Sequence, residues 1–212
     1  MQPTCCGVDE TFTDAVAERD LARYRRKGPN GPTRRLLDGI RATGVSGATL
    51  LDIGAGVGAI THELFGAGIA RATLVDASAA YVAAAREEAE RRGELDRLEI
   101  RTDDFVAVAS QLSPSDIVTL DRVLCCYPDM QGLVLLSTSK ARKLYGVVYP
   151  RDGWWIKLGM AAVNGFCRLR GNAFRVHVHS VAAIDREIRR AGMKRRLLHR
   201  GLIWEVGLYE RA

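Results

Sequence analysis

Three glycines alternate with other residues in the run Asp52-Ile53-Gly54-Ala55-Gly56-Val57-Gly58, directly after the apolar stretch Thr49-Leu50-Leu51. A turn of this kind lets a ligand come close to the backbone and leaves free N–H groups at the start of the next helix facing it, as a nucleotide-type ligand requires. The dinucleotide fingerprint puts its third glycine three residues after the second, whereas here the step is two, so NAD is the weaker reading. A second acid, Asp76, follows Gly58 by 18 residues and ends the apolar run Arg71-Ala72-Thr73-Leu74-Val75. A carboxylate at that place can accept both hydroxyl protons of a ribose. Asp103-Asp104-Phe105 closes a third strand-like run, and Asp121-Arg122-Val123-Leu124-Cys125-Cys126-Tyr127 closes a fourth. His177 and His179 are candidate bases, because an unshifted histidine titrates near neutrality, and at i and i+2 they share a face if extended. The plainer reading of the pair is a surface or capping role beside Ser180. Tyr127 and Asp121 are the next candidates, with alignment alone as the default.

Those residues need a sheet whose carboxyl edge gathers them. Strand-type runs at about 48–53, 71–76, 97–101, 117–120 and 143–149 alternate with helical patterns, and two alternating strands meet at Arg200-Gly201. The arrangement predicts an α/β fold, doubly wound, with the last strand antiparallel and Trp204, Val206 and Leu208 on one face. Two helices precede it: one over Phe12 to Tyr24, and one opened by Pro32 that carries Leu36, Leu37 and Ile40. Ser78 is placed to cap a helix from Ala79 to Arg92 that stops at Gly93, and Ser180 to cap one from Val181 to Ala191. Residues 1–45 are thus expected as an N-terminal helical lid and 46–212 as the ligand-binding domain, with a substrate-side insert at about 150–179. That insert holds Trp154, Trp155, an apolar helix to about Leu169 and the two histidines.

At 212 residues with 47% hydrophobic composition the chain suits one domain with a real core. No apolar run reaches the roughly 20 residues that span a bilayer, and the start lacks the pattern of a secretory signal, so a cytoplasmic location is expected. The net charge of +6 is concentrated at Arg186, Arg189, Arg190, Lys194, Arg195, Arg196 and Arg200. A solvated basic face is the simplest reading of that cluster, and without interleaved aromatics before Trp204 it argues against a nucleic-acid partner. Five cysteines include the adjacent pairs Cys5-Cys6 and Cys125-Cys126, which lack zinc-ligand spacing, so no metal is expected.

The run Leu51-Asp52-Ile53-Gly54-Ala55-Gly56-Val57-Gly58 resembles motif I of the class I S-adenosylmethionine-dependent methyltransferases. The resemblance implies a seven-stranded Rossmann-like sheet and S-adenosyl-L-methionine as cofactor. It implies that the loop at Gly54, Ala55, Gly56 and Gly58 wraps the methionine end with help from Asp52, and that Asp76, Ala77 and Ser78 form the ribose motif. It further implies that Asp104, in preference to Asp103, takes the adenine amino group beside Phe105, with the methyl emerging near Asp121. N-terminal helices in such enzymes cover the cofactor and frame the substrate entrance, which makes Tyr24, Arg25 and Arg26 lid candidates. The acid, asparagine or serine followed by Pro-Pro and an aromatic, characteristic of amino-methylating enzymes of nucleic acid bases, is missing after the fourth strand. Within the superfamily, Cys126-Tyr127-Pro128 and Tyr149-Pro150-Arg151-Asp152 resemble the magnesium-protoporphyrin O-methyltransferases, with Cys126 where that group has histidine. The expected acceptor is a small planar or aromatic molecule offering an oxygen or nitrogen. It would be held by Tyr24, Arg122, Cys126, Tyr149, Arg151 and Trp154, with Tyr127 and Trp155 adding flat apolar area. The competing readings are a thiol-dependent metalloid methyltransferase using Cys5, Cys6, Cys125 and Cys126, and a cofactor-binding module without turnover.

Overall fold

A computed structural model describes residues 7–212 of the chain, so Cys5 and Cys6 lie outside the described residues. Five strands run parallel: β1 (Thr49–Ile53), β2 (Arg71–Asp76), β3 (Leu98–Thr102), β4 (Ser115–Asp121) and β5 (Ala141–Pro150). β6 (Met193–Arg200) forms the edge, and β7 (Trp204–Arg211) enters antiparallel between it and β5, giving the order β3-β2-β1-β4-β5-β7-β6. The chain leaves β1 toward β3 and returns on the other side at β4. The switch point between β1 and β4 opens a crevice outside their carboxyl ends, where open α/β sheets bind ligands.

The helices are α1 (Val8–Thr11), α2 (Asp14–Lys27), α3 (Gly31–Arg41), α4 (Ala59–Gly66), α5 (Ala79–Arg92), α6 (Phe105–Val108), α7 (Met130–Ser139), α8 (Trp154–Leu169) and α9 (Val181–Arg190). Alternation along the strands divides the core in two. Leu50, Leu74, Ile117, Val148, Val206 and Leu208 meet Leu36 and Ile40 of α3 and Leu64 of α4. Leu51, Ile53, Val118, Leu120, Val147 and Tyr209 meet Leu133 of α7 and Ile184 and Ile188 of α9. A third, smaller cluster joins Ala17, Leu21 and Tyr24 of α2 to Ala84 of α5.

Helix starts follow local chemistry. Asn30 Oδ1 accepts from the Thr33 N–H at 3.1 Å ahead of Pro32, Ser78 Oγ from the Tyr81 N–H at 3.3 Å, and Ser180 Oγ from the Ala183 N–H at 3.4 Å. Some boundaries differ from the sequence reading. The first expected helix divides: Phe12 closes α1 and leaves the helical path to pack on Tyr81 and Phe174, with ring centroids 5.3 and 5.4 Å apart, and α2 begins at Asp14. β5 is longer than expected at both ends, because Ala141 pairs with Ser115 beyond a register shift and Pro150 pairs with Trp204. Among the described residues no helix is long and apolar enough to cross a membrane.

Candidate active site

All three loop glycines have positive φ: 61° at Gly54, 57° at Gly56 and 74° at Gly58. Their surroundings differ. A Cβ on Gly54 would lie 2.4 Å from Val123 Cγ2, and one on Gly58 would lie 2.8 Å from His62 Nε2, so both glycines pack against the protein itself. A Cβ on Gly56 would meet nothing nearer than the Tyr81 ring at 4.0 Å, so this glycine leaves open space for a ligand. Asp76 stands beneath it, its carboxylate accepting from the Gly56 N–H at 2.8 Å and the Ser78 N–H at 2.9 Å. Burial raises the Asp76 pKa against the pull of those two donors.

A cavity of about 740 Å³ extends from this loop along the carboxyl ends of β1, β2 and β4. That size suits a cofactor together with a small acceptor. Of the residues singled out in the sequence, Asp52, Gly54, Ala55, Gly56, Asp76, Ala77, Phe105, Asp121, Arg122, Cys126, Tyr127 and Tyr24 line it. Asp52 is buried below the loop, accepting from Thr119 Oγ1 at 2.7 Å and Thr61 Oγ1 at 3.0 Å. Burial pushes its pKa up to about 7, the two hydroxyls oppose the shift, and the nearby charges of Asp121 and Asp76 add to it. At the end of β4, Asp121 Oδ2 accepts a short hydrogen bond from Thr33 Oγ1 of α3, and its Oδ1 accepts from Arg122 Nε at 3.0 Å. Arg122 is the one non-glycine with positive φ, 64°, among the described residues. Its side chain folds back onto Asp121, with the guanidinium 6.0 Å from the centroid of the Trp204 ring.

Other expected residues lie elsewhere. Gly58 and Ser78 are outside the cavity lining and shape it from behind, Gly58 capping α4 and Ser78 capping α5. Asp104 caps α6 and accepts from Tyr127 OH at 2.7 Å, while Asp103 is the acid on the cavity wall. His177 and His179 stack on each other, 6.1 Å between centroids, as their spacing implied, yet neither reaches the cavity. His179 Nε2 lies 2.8 Å from the Tyr127 carbonyl and 3.1 Å from that of Leu124, and the His177 N–H donates to the Cys125 carbonyl at 2.7 Å. These contacts staple the 172–180 segment to the turn that carries the cysteines. Burial, and then the neighbouring His179, lower the His177 pKa. Tyr149 is fully buried and bonds Glu205, because β5 is an interior strand there. Arg151 Nη1 donates to the Gly201 carbonyl at 3.3 Å, and Trp154 faces solvent. Arg25 turns away from the entrance to pair with Glu87 and Glu88 of α5. In the basic cluster, Arg186, Arg189, Arg190, Arg195, Arg196 and Arg200 each meet a carboxylate, as a solvated face does.

Thr33, Phe12, Tyr81, Phe174 and Asp103 also line the cavity, without being marked as site residues by the sequence. Only Asp103 carried a local signal, being one residue from the acid preferred over it. The others arrive through long-range packing. Among the described residues no group of three or more His, Cys, Asp or Glu is placed to hold a metal ion.

Residues 45–153 match the model of a methyltransferase domain family. No curated protein matches the chain in sequence. Among solved structures, the magnesium protoporphyrin IX methyltransferase of Synechocystis PCC 6803 with bound SAH aligns over 96% of this chain and 99% of its own, at 18% identity and a TM-score of 0.70. An O-methyltransferase family protein of Burkholderia thailandensis aligns over 99% of this chain and 64% of its own, at 14% identity and TM-score 0.71. An O-methyltransferase family 2 protein of Planctomyces limnophilus in complex with apigenin aligns over 94% and 62%, at 18% identity and TM-score 0.65. At such identities the structural likeness speaks to the fold and leaves the acceptor open. The glycine loop, the acid that follows it and the family match over half the chain together make this chain a member of the methyltransferase domain family, a class I S-adenosylmethionine-dependent enzyme.

Proposed function

We propose that the chain transfers a methyl group to an oxygen or nitrogen of a small planar or aromatic acceptor, with residues up to about 45 acting as the lid. The observation that carries this reading is the aromatic part of the cavity wall. Phe12, Tyr81, Tyr127, Phe174 and Trp204 line it with flat apolar surface, and Arg122 adds one cation suited to a carboxylate or phenolate. Tyr24, Pro29, Asn30 and Thr33 wall it on the lid side.

The site fits the cofactor on its own residues: Gly56 offers open space at the backbone, Asp76 an acceptor for ribose hydroxyls, and Asp103 and Phe105 a polar and a flat contact for a base. When bound, S-adenosylmethionine supplies a methyl already activated on a sulfonium, so the protein's task is alignment and exclusion of water. Asp121 is held by Thr33 from the lid and by Arg122, the residue that follows β4, and so links lid position to the reacting end. It is the first candidate to take a proton from the acceptor, and Tyr127 the second. Isothermal calorimetry should show S-adenosylhomocysteine binding and no NAD binding. Asp76→Ala should weaken that binding by about 1–3 kcal/mol, the cost of leaving buried hydroxyls unpaired. Binding of NAD alone would end the reading. A panel of phenols, aromatic carboxylates and planar amines then identifies the acceptor through release of S-adenosylhomocysteine.

One observation favours a second reading. Cys125 and Cys126 both line the cavity, and their Sγ atoms lie 3.3 and 3.7 Å from the Arg122 carbonyl. The hydrogen bond from Cys126 lowers the Cys125 pKa against the opposing effect of burial, which favours a thiolate able to take a soft metalloid. Arsenite binding that is lost in Cys125→Ser and Cys126→Ser would favour it over the planar acceptor.

A further inference from the structure

The helix α8 presents its apolar side to solvent. At 100° per residue, Ile156, Met160, Asn164 and Cys167 fall on one face and are the buried or half-buried positions of the helix. The opposite arc carries Trp154, Leu158, Ala162, Phe166 and Leu169 with two glycines, and holds no charged residue. Trp154 is 76% exposed, Leu158 65% and Leu169 88%. An apolar helix face on the outside of a folded domain marks an interaction surface. A second apolar point stands at the same edge of the sheet: the exposed Leu202 and Ile203 at the β6–β7 turn, where the Ile203 carbonyl accepts from the Arg151 N–H at 2.8 Å.

Charge identifies what the face meets. From Gly153 to Ile184 the sequence contains no aspartate or glutamate and four cations, Lys157, Arg168, Arg170 and Arg175. Lys157 and Arg168 flank the apolar arc on one side, and Arg170 lies over the Phe166 ring at 4.4 Å. Arg175 donates to backbone carbonyls of Asn172 and Phe174. The arginines of α9 and β6 all have carboxylate partners, whereas among the described residues none of these four cations forms an ion pair. Tryptophan at the rim, apolar bulk in the middle and uncompensated cations at the flank form the pattern of a helix that lies in the headgroup region of an anionic bilayer. A second copy of the chain would bring the same cations against each other. At 16 residues the helix is about 24 Å long, too short to span a bilayer and long enough to lie in its plane.

We propose that the outward face of α8, with the Leu202-Ile203 turn, docks the protein on an anionic lipid surface. The inward face of the same helix stays with the protein: Asn164 bonds both the N–H and the carbonyl of Val176 at 2.8 Å, and Met160 and Val176 line the cavity. Docking therefore sets one wall of the cavity within a helix thickness of the lipid.

The test is sedimentation of the full chain with sucrose-loaded vesicles, without cofactor or acceptor, comparing phosphatidylcholine alone with a mixture containing phosphatidylglycerol. The expected result is binding to the anionic vesicles, a blue shift of tryptophan emission and quenching by brominated lipid. The triple variant Leu158→Ser, Phe166→Ser, Leu169→Ser should lose binding by roughly tenfold or more, and Lys157→Glu with Arg168→Glu should lose the preference for anionic lipid. Retained S-adenosylhomocysteine binding in each variant shows that it folds. Equal background binding to both vesicles overturns the proposal. So does a concentration-dependent dimer that Leu158→Ser dissociates without any vesicle binding, which assigns the face to a second copy. Because the readout is lipid binding alone, its failure leaves the acceptor reading intact, and failure of the acceptor panel leaves the docking result intact.

Discussion

Asp52 is the residue where sequence pattern and physical environment meet most directly. Its place in the glycine motif was legible because an acid ending an apolar run is conspicuous, but its state was not, since burial against Thr61 and Thr119 depends on α4 and β4. With a folded pKa near 7 against an ordinary carboxyl value near 4, the folded state holds the proton more tightly than the unfolded one. Its contribution to stability is full below about pH 4 and is lost as pH rises through 7. Asp52→Asn should therefore flatten the rise in thermal stability on going from pH 8 to pH 5, measured by calorimetry without ligand. Ionised Asp52 also favours a cationic ligand, so the preference for S-adenosylmethionine over its neutral-sulfur product should grow several-fold between pH 6 and 8; a constant ratio would place the sulfonium out of its reach. The glycines separate in the same way. Gly58→Ala drives a methyl against His62 at a left-handed position and should cost about 2 kcal/mol of stability, whereas Gly56→Ala should cost about 1 kcal/mol of stability and more in cofactor affinity, because its Cβ enters the ligand space. Spacing alone showed three equivalent glycines; only the packing tells them apart.

Among the elements, α2 depends most on a single partner. Glu88 of α5 is fully buried, and although burial opposes its charge, Arg91, Arg92 and Arg25 outweigh that and hold its carboxyl far below the usual range. Arg25 supplies the link to α2, and Tyr24 beside it accepts from Arg92 and donates to Glu63. Glu88→Gln should cost about 2 kcal/mol, since three partly exposed arginines lose their shared buried acceptor, and the loss should be smaller at pH 3, where the unfolded chain's glutamate is protonated while the native carboxylate stays ionised, so that part of the native advantage is already gone. Arg25→Ala should leave the sheet intact and raise amide exchange along α2 alone; uniform exchange across the domain would show that α2 is no separate lid. The alternating strands and helices, the capping residues and the antiparallel last strand were readable because each rests on local periodicity or cap chemistry. The lid's latch was not, because Arg25 and Arg26 look alike in sequence and only the position of α5 distinguishes them. For the same reason the insert was readable as an apolar helix to about Leu169, but not as one that already begins at Trp154 or that faces outward.

For the whole molecule, the three clusters form one body, so heating should unfold it in a single transition that S-adenosylhomocysteine raises. At about 100 times its dissociation constant the ligand adds roughly 2.7 kcal/mol, worth about 5–10 °C in a domain of this size. Two separated transitions, with only one moved by ligand, would show that the lid and the sheet are uncoupled.

The place of β7 has a consequence for the order of events in time. Helix α3 is made about 170 residues before β7, yet Leu36 and Ile40 pack in the cluster that contains Val206 and Leu208 of that strand, and a Cβ on Gly39 would meet Leu208 at 3.3 Å. Thr33, which holds Asp121, rides on that helix. As the chain emerges from the ribosome, the glycine loop can form while the lid-side wall of its cavity waits for about 150 further residues. The site is thus finished only once β7 is in place, and a nascent chain halted before that strand should present the loop without the completed pocket.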